Sequence, residues 1–277
     1  MSDLSVIPRV LRPPAIAEKV VAAGARSARL DLLTLTLLGL LGGAFIALAA
    51  NLYTVTMTGS AALPFGVAKL LGGLSFCLGL VLVVIAGAEL FTGNNMSLVM
   101  AVASRQASAW QLLRGWTIVY VTNFVGSVAI AWLMVQTGQG KFAGGEVAQT
   151  AVDIARAKCA LSWTEAFARG VVCNMLVCLA IWVCYSAHST TDRILGILFP
   201  ITAFVAAGFE HSVANMYFVP AGLFANTTVP PGALTWGNFL LRNLLPVTLG
   251  NIVGGGVLVG LMYWLIYCRP RAGGAEI

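Results

Sequence analysis

Residues Ala206–Met216 read "AAGFEHSVANM", and the meaning given to Glu210 and His211 decides the fold. The run leading into them, "ILGILFPITAFVAAGF" (Ile194–Phe209), carries no charged side chain. Ionisable groups within such a segment face a protein interior or a watery path and mark a functional site by default. A buried neutral histidine that only hydrogen-bonds a neighbour is the plainer alternative.

Working outward, the chain has 277 residues, of which 59% are hydrophobic and only 9% charged, with a mean hydropathy of +0.89. Soluble domains are about a quarter charged, so the composition is that of an integral membrane protein in contact with a lipid bilayer. Six uncharged blocks recur: Leu32–Tyr53, Leu70–Ala88, Gly115–Val135, Gly170–Ala187, Ile194–Phe209 and Leu244–Cys268. Roughly 20 helical residues cross a hydrocarbon core of about 30 Å, which predicts six spans.

Residues 1–30 lack a continuous apolar core and carry Arg9, Arg12, Lys19, Arg26 and Arg29, so they do not read as a cleaved signal. Arg105, Arg114, Arg193, Arg269 and Arg271 fall on the same side as these arginines. The positive-inside rule makes that side cytoplasmic and predicts a multi-pass protein of the cell (inner) membrane, with both termini cytoplasmic. The net charge of +6 follows from this topology and needs no nucleic-acid partner. The six cysteines form no C-x-x-C pair and read as small hydrophobes.

The opening motif has an echo. "AGAELFTGNN" (Ala86–Asn95) aligns with "AGFEHSVANM" (Ala207–Met216): both hold Ala-Gly-x-Glu, with Asn five residues after the Glu. "NFVG" (Asn123–Gly126) and "NIVG" (Asn251–Gly254) follow in the next spans. Three spans per half is an odd number, so the copies run oppositely across the bilayer. Inverted repeats place a substrate path near the midplane, between interrupted helices. Gly87, Gly93 and Gly208 each weaken a helix interior by about 1 kcal/mol relative to Ala. Glu89, Glu210, Asn94, Asn95 and Asn215 can satisfy backbone groups freed at such breaks, either as plain loop ties or as parts of a site. Asn123, Asn174, Asn243 and Asn251 read as interhelical hydrogen-bond links.

The stretches "LFTGNN", "GFEHSVANMYFVP", "CNMLVCLAIW" (Cys173–Trp182) and "PVTLGNIVGG" (Pro246–Gly255) together resemble the formate/nitrite transporter family. "PPAIAEKVVAAGARSA" (Pro13–Ala28) is similar to that family's N-terminal segment, so the likeness runs from about residue 13 to 267. The resemblance implies an all-α integral membrane protein: six transmembrane helices as two inverted three-helix repeats, the second and fifth interrupted, in an aquaporin-like arrangement. It further implies a homopentamer whose protomers each carry small monovalent anions through their own pore.

By the same resemblance, Phe76 and Phe204 form the outer constriction, and Leu80, Leu90 and Phe91 the inner one. Leu90, Phe91 and Thr92 belong to the loop that breaks the second span, with Thr92 opposite the central His211. Lys158 matches a lysine of the outer vestibule that attracts the anion, while Glu210, Asn174, Asn215 and Glu89 complete a polar network. A bare carboxylate in low dielectric costs tens of kcal/mol in the Born limit, and a histidine titrates within the physiological range. The expected function is therefore a channel or transporter for weak-acid anions. Formate is the first candidate, with nitrite, hydrosulfide and other short monocarboxylates as alternatives. His211 assists by donating a proton or by pairing transiently as imidazolium.

The expected division is a cytoplasmic amphipathic segment (1–30), a six-helix channel domain (31–268) and a short cytoplasmic tail (269–277). The N-terminal segment lies along the cytoplasmic surface and, by the resemblance, moves to cover the inner pore mouth. A membrane enzyme built on Glu210 and His211 is the rival class. It is disfavoured because neighbours on a helix point about 100° apart, and no H-E-x-x-H pattern or phosphate-binding glycine loop occurs. No catalytic residue, metal or cofactor is expected.

Overall fold

A computed structural model of the protein describes residues 11–225 and 234–269. Arg9, Arg271 and all of the proposed tail beyond Arg269 lie outside the described residues. Among the described residues, every regular element is helical. The helices are α1 (Pro13–Ser27), α2 (Leu32–Met57), α3 (Phe65–Val81), α4 (Phe91–Ala103) and α5 (Ala109–Gln136). They continue with α6 (Glu146–Cys159), α7 (Trp163–Ser186), α8 (Thr190–Ala206), α9 (Ser212–Ala225) and α10 (Trp236–Tyr267).

Local sequence sets the helix starts. Asp31 caps α2 by accepting the Thr34 N–H; this hydrogen bond holds its carboxyl below the usual carboxylate value. Ser108, Ser162 and Ser189 open α5, α7 and α8 with reciprocal bonds to Gln111, Glu165 and Asp192. Each Ser side chain accepts a backbone N–H that would otherwise be orphaned at the helix start.

Five segments are long and apolar enough to cross a membrane: α2, α3 with the wide turn that prolongs it to Gly87, α5, α7 and α10. The remaining crossing is divided between α8 and α9. The second crossing is divided too, because α3 ends in a π-helical turn (Leu82–Gly87) and the chain restarts as α4 at Phe91. Gly87 (φ +90°) and Gly208 (φ +74°) occupy corresponding places in the two breaks. That left-handed backbone disfavours any residue with a Cβ, which is why the repeated Ala-Gly-x-Glu signature sits there.

The repeat unit is larger than the sequence suggests. α6, in a stretch that holds none of the six uncharged blocks, packs on α9 as α1 packs on α4. Each half therefore holds an amphipathic helix, a span, a broken span and a span. α1 is not laid loosely on the surface: Ile16, Ala17, Val20 and Val21 are buried against Met96 and Met100 of α4. Where α2 crosses α5, Gly43 stands against the Asn123 backbone with no room for a Cβ, the close approach that small residues give membrane helices. Leu33, Val121, Trp132, Phe199 and Leu241 project outward as an apolar surface suited to lipid or to a second subunit.

Two local expectations need correction. Phe91 and Thr92 lie in the first turn of α4, not in the loop, which holds Ala88 to Leu90. Glu210 and His211 are not successive helix residues; they belong to the non-helical break between α8 and α9. Their side chains diverge: Glu210 meets Lys158, Asn215 and Asn243, and His211 meets Thr92.

A polar centre between two broken helices

The two breaks are clamped by the same device. In the first, the Asn123 amide donates to the Glu89 and Gly39 carbonyls (3.0 and 2.7 Å) while its oxygen accepts the Phe91 N–H (2.9 Å). In the second, the Asn251 amide donates to the Glu210 and Gly170 carbonyls (3.0 and 2.8 Å) while its oxygen accepts the Ser212 N–H (2.9 Å). Glu89 N–H donates to the Leu38 carbonyl and Glu210 N–H to that of Arg169. Interrupted backbone within a membrane must be satisfied by protein or water. Here two fully buried asparagines do it. The echo of "NFVG" and "NIVG" is thus structural, and it goes beyond the generic helix links read from sequence.

His211 emerges from this scaffold with both ring nitrogens engaged. Nδ1 accepts the Ala214 backbone N–H at 3.0 Å, and Nε2 stands 2.9 Å from Thr92 Oγ1. A backbone N–H can only donate, so Nδ1 carries no proton. The neutral ring therefore holds its proton on Nε2 and donates it to Thr92. Phe204 lies against the imidazole with centroids 6.0 Å apart, and Phe76 meets Phe204 edge-on at 5.8 Å. Asn174 ties the Thr92 carbonyl to the Asn251 carbonyl (3.2 and 2.7 Å), joining the two breaks through one amide.

Glu210 points away from the ring into a separate network. Its Oε1 accepts from Lys158 Nζ at 2.9 Å, and its Oε2 from Asn215 (2.7 Å) and Asn243 (3.4 Å). Lys158 also lies over the Phe218 ring, 5.1 Å from its centroid. Phe218 is an aromatic the sequence reading passed over, although it stacks on Phe76 at 6.3 Å.

Two cavities approach the centre from opposite ends of α2. One, of about 200 Å³, is lined by Tyr53, Phe76, Phe204, His211, Lys158 and Glu210, with Lys69 and Arg169 adding positive charge. The other, of about 410 Å³, is lined by Leu38, Glu89, Leu90, Asn94, Ser27 and Arg193 among others. Leu38 and Tyr53 stand fifteen residues apart on one helix, roughly 22 Å of rise. Buried Leu80 and Phe91 line neither cavity and belong to the apolar cluster between them. Phe91 is wedged there edge-on against Tyr120 (4.8 Å).

The structure therefore gathers Thr92, His211, Phe76 and Phe204 at one point, with Leu80, Leu90 and Phe91 beneath them. Lys158, Glu210 and Asn215 form one flank, while Glu89 stands apart in the second cavity. Among the described residues no group of three or more His, Cys, Asp or Glu could hold a metal ion.

The sequence profile described as "Formate/nitrite transporter" matches residues 14–265. The "Formate channel FocA" of Escherichia coli (strain K12) is 39% identical over 95% of this chain and 96% of its own. The "Uncharacterized transporter YrhG" of Bacillus subtilis (strain 168) is 41% identical over 92% of this chain and 93% of its own. A solved "Pentameric formate channel with formate bound" superposes with a TM-score of 0.79 at 42% identity, covering 86% of this chain and 98% of that one. An "FNT family ion channel" superposes at 0.82 with 34% identity, covering 92% and 99%.

Proposed function

The chain belongs to the formate/nitrite transporter family, and from that membership we propose that it carries small monovalent weak-acid anions, formate foremost, across a cell membrane. It is a transporter and not an enzyme. The similarity to a pentameric channel supports a homopentamer with one pore per protomer. Arginine placement supports an inner-membrane setting with both termini cytoplasmic. The cavity beside α1 then opens inward and the cavity beside α6 outward. Residues 31–268 form the channel, with residues 1–30 and 269–277 on its cytoplasmic side.

One observation carries the mechanism: the His211 ring, oriented by Ala214 and Thr92, lies at the edge of a cavity holding Lys158, Lys69 and Arg169. These cations concentrate an anion at the cavity floor. There it takes the place of Thr92 Oγ1 as acceptor for the Nε2–H. Full proton transfer from the ring requires the imidazolium, whose Nδ1–H would confront the Ala214 N–H. The geometry thus favours His211 as a hydrogen-bond donor that stabilises the arriving anion. A transferred proton comes through the ring only when the Ala214 bond opens. The neutral acid then passes the gap between Leu80, Leu90 and Phe91, which excludes bare charge.

The test is vesicle uptake of formate, nitrite, lactate and hydrosulfide at two pH values by wild type and His211→Asn. Formate uptake that changes in rate and pH dependence on substitution is the expected result. Unchanged behaviour removes His211 from the mechanism, and preference for nitrite or hydrosulfide reassigns the substrate.

A further inference from the structure

The repeat symmetry exposes a difference between its two glutamates. Ser27, at the end of α1, occupies toward Glu89 the place that Lys158, at the end of α6, occupies toward Glu210: Ser27 Oγ donates to Glu89 Oε2 at 2.9 Å. Asn94 donates to the same oxygen at 2.7 Å, as Asn215 does to Glu210. Glu210 has a cation on one oxygen and two amides on the other. Glu89 has no cation among the described residues. Both of its donors crowd onto Oε2, and among the described residues Oε1 has no hydrogen-bond partner in the wall of the 410 Å³ cavity.

We propose that Glu89 is the proton-exchange site of the α1-side cavity: it hands a proton to a weak-acid anion leaving by that route and takes one from an acid arriving. This rests on the weak-acid transport reading above. For an anion entering from the α1 side, the protonated Oε1–H donates to a carboxylate oxygen. The O–H bond of Glu89 breaks and leaves its electron pair on Oε1, while a new O–H bond forms on the anion. The neutral acid continues past Leu90 and Leu80. Glu89 recovers its proton from water at the cavity mouth, so one proton moves with each anion. Two carboxyl groups have similar proton affinity, which makes the transfer close to balanced in either direction. Glu210, with both oxygens committed, cannot serve the other cavity in this way.

The groups facing Glu89 suit this role. Asn94 of α4 and Ser27 of α1 are neutral donors, and Leu38 of α2 presents a carbonyl to the Glu89 N–H. Cys184 and Tyr185 of α7 and Arg193 of α8 complete the wall. Arg193 thus offers an anion a cation within the cavity without an ion pair to Glu89.

Glu89→Gln keeps an oxygen for Ser27 and Asn94 but cannot exchange a proton. Formate flux in proteoliposomes, with proton co-movement followed by an entrapped pH dye, is expected to fall by roughly a hundredfold near neutral pH. Near pH 5 the loss should be far smaller, because solution then supplies neutral acid. Glu89→Asp should restore the wild-type pH profile. Ser27→Lys, which gives Glu89 a permanent cation, should reproduce the glutamine profile, and it serves as the reading if Glu89→Gln does not fold. A loss by one constant factor at every pH, or a Glu89→Gln profile equal to wild type, overturns the proposal. Absence of formate flux in the wild type instead overturns the transport reading beneath it.

Discussion

Thr92 Oγ1 and His211 Nε2 lie 2.9 Å apart, although 119 residues separate them in the chain. Thr92 projects from the first turn of α4 and His211 from the break just before α9, so the contact joins the two halves of the repeat. Thr92→Val keeps the shape and removes the acceptor, leaving a buried Nε2–H unpaired at a cost of about 1–3 kcal/mol. We expect lower thermal stability and reduced formate flux, with Thr92→Ser close to wild type. A valine variant with unchanged melting and flux would show that the contact neither orients the ring nor shapes the path.

Asn123 and Asn251 each bridge a carbonyl within a break, a carbonyl on the neighbouring span and the N–H that starts the next helix. Substituting either by Ala should destabilise the protein by about 2–4 kcal/mol, because two buried carbonyls and one N–H lose their partner together. The functional consequences should differ. Asn251→Ala disturbs the residues flanking His211 and is expected to lower flux beyond what stability explains. Asn123→Ala chiefly loosens Leu90 and Phe91, so larger weak acids should leak relative to formate. Equal substrate profiles in the two variants would argue against the separate roles.

Much of this was legible in the sequence because charge is costly in lipid. Glu89, Glu210 and His211 stood out from apolar surroundings, and the repeated Ala-Gly-x-Glu located both breaks. α6 was not legible, because Glu146–Cys159 mixes Asp153, Arg156 and Lys158 with small residues and resembles an ordinary charged loop. Its burial of Val147, Val152 and Ala155 arises from tertiary packing, chiefly on α9. The directions of Glu210 and His211 were hidden as well. A helix was the natural assumption, and only the break shows that one side chain meets Lys158 while the other meets Thr92. The tautomer depends on Ala214 N–H, a backbone group with no signature in side-chain pattern.

The Lys158–Glu210 pair invites a double-mutant cycle. Lys158→Met leaves a carboxylate only 5% exposed without its cation, an arrangement that costs about 3–5 kcal/mol when the pair is buried. Lys158 is 15% exposed and faces the cavity beside α6, so water compensates part of the loss in Glu210→Gln, which should cost less. The double variant should melt above Lys158→Met, since it carries no unpaired charge. That cavity retains Lys69 and Arg169, so formate uptake should weaken mainly at low substrate concentration. A double variant as unstable as the sum of the singles would mean that the two side chains stabilise the fold independently.

Whether α1 gates the inner mouth can be asked without deleting it. Gly24 meets the Ser97 backbone so closely that a Cβ cannot fit, and backbone, unlike a flexible side chain, cannot move aside. Gly24→Ala should therefore push α1 away from α4 while leaving both helices intact. Ser27 then loses its bond to Glu89, and the cavity wall formed by Ala23 and Ser27 opens. If α1 restricts the inner mouth, flux should rise and its pH dependence should change, with stability falling by about 1–3 kcal/mol from overpacking. Removing residues 1–28 would instead bare Met96 and Met100 and confuse gating with unfolding. A Gly24→Ala protein that melts earlier but transports with the wild-type pH profile would make α1 a structural wedge, the counterpart of α6, and not a gate.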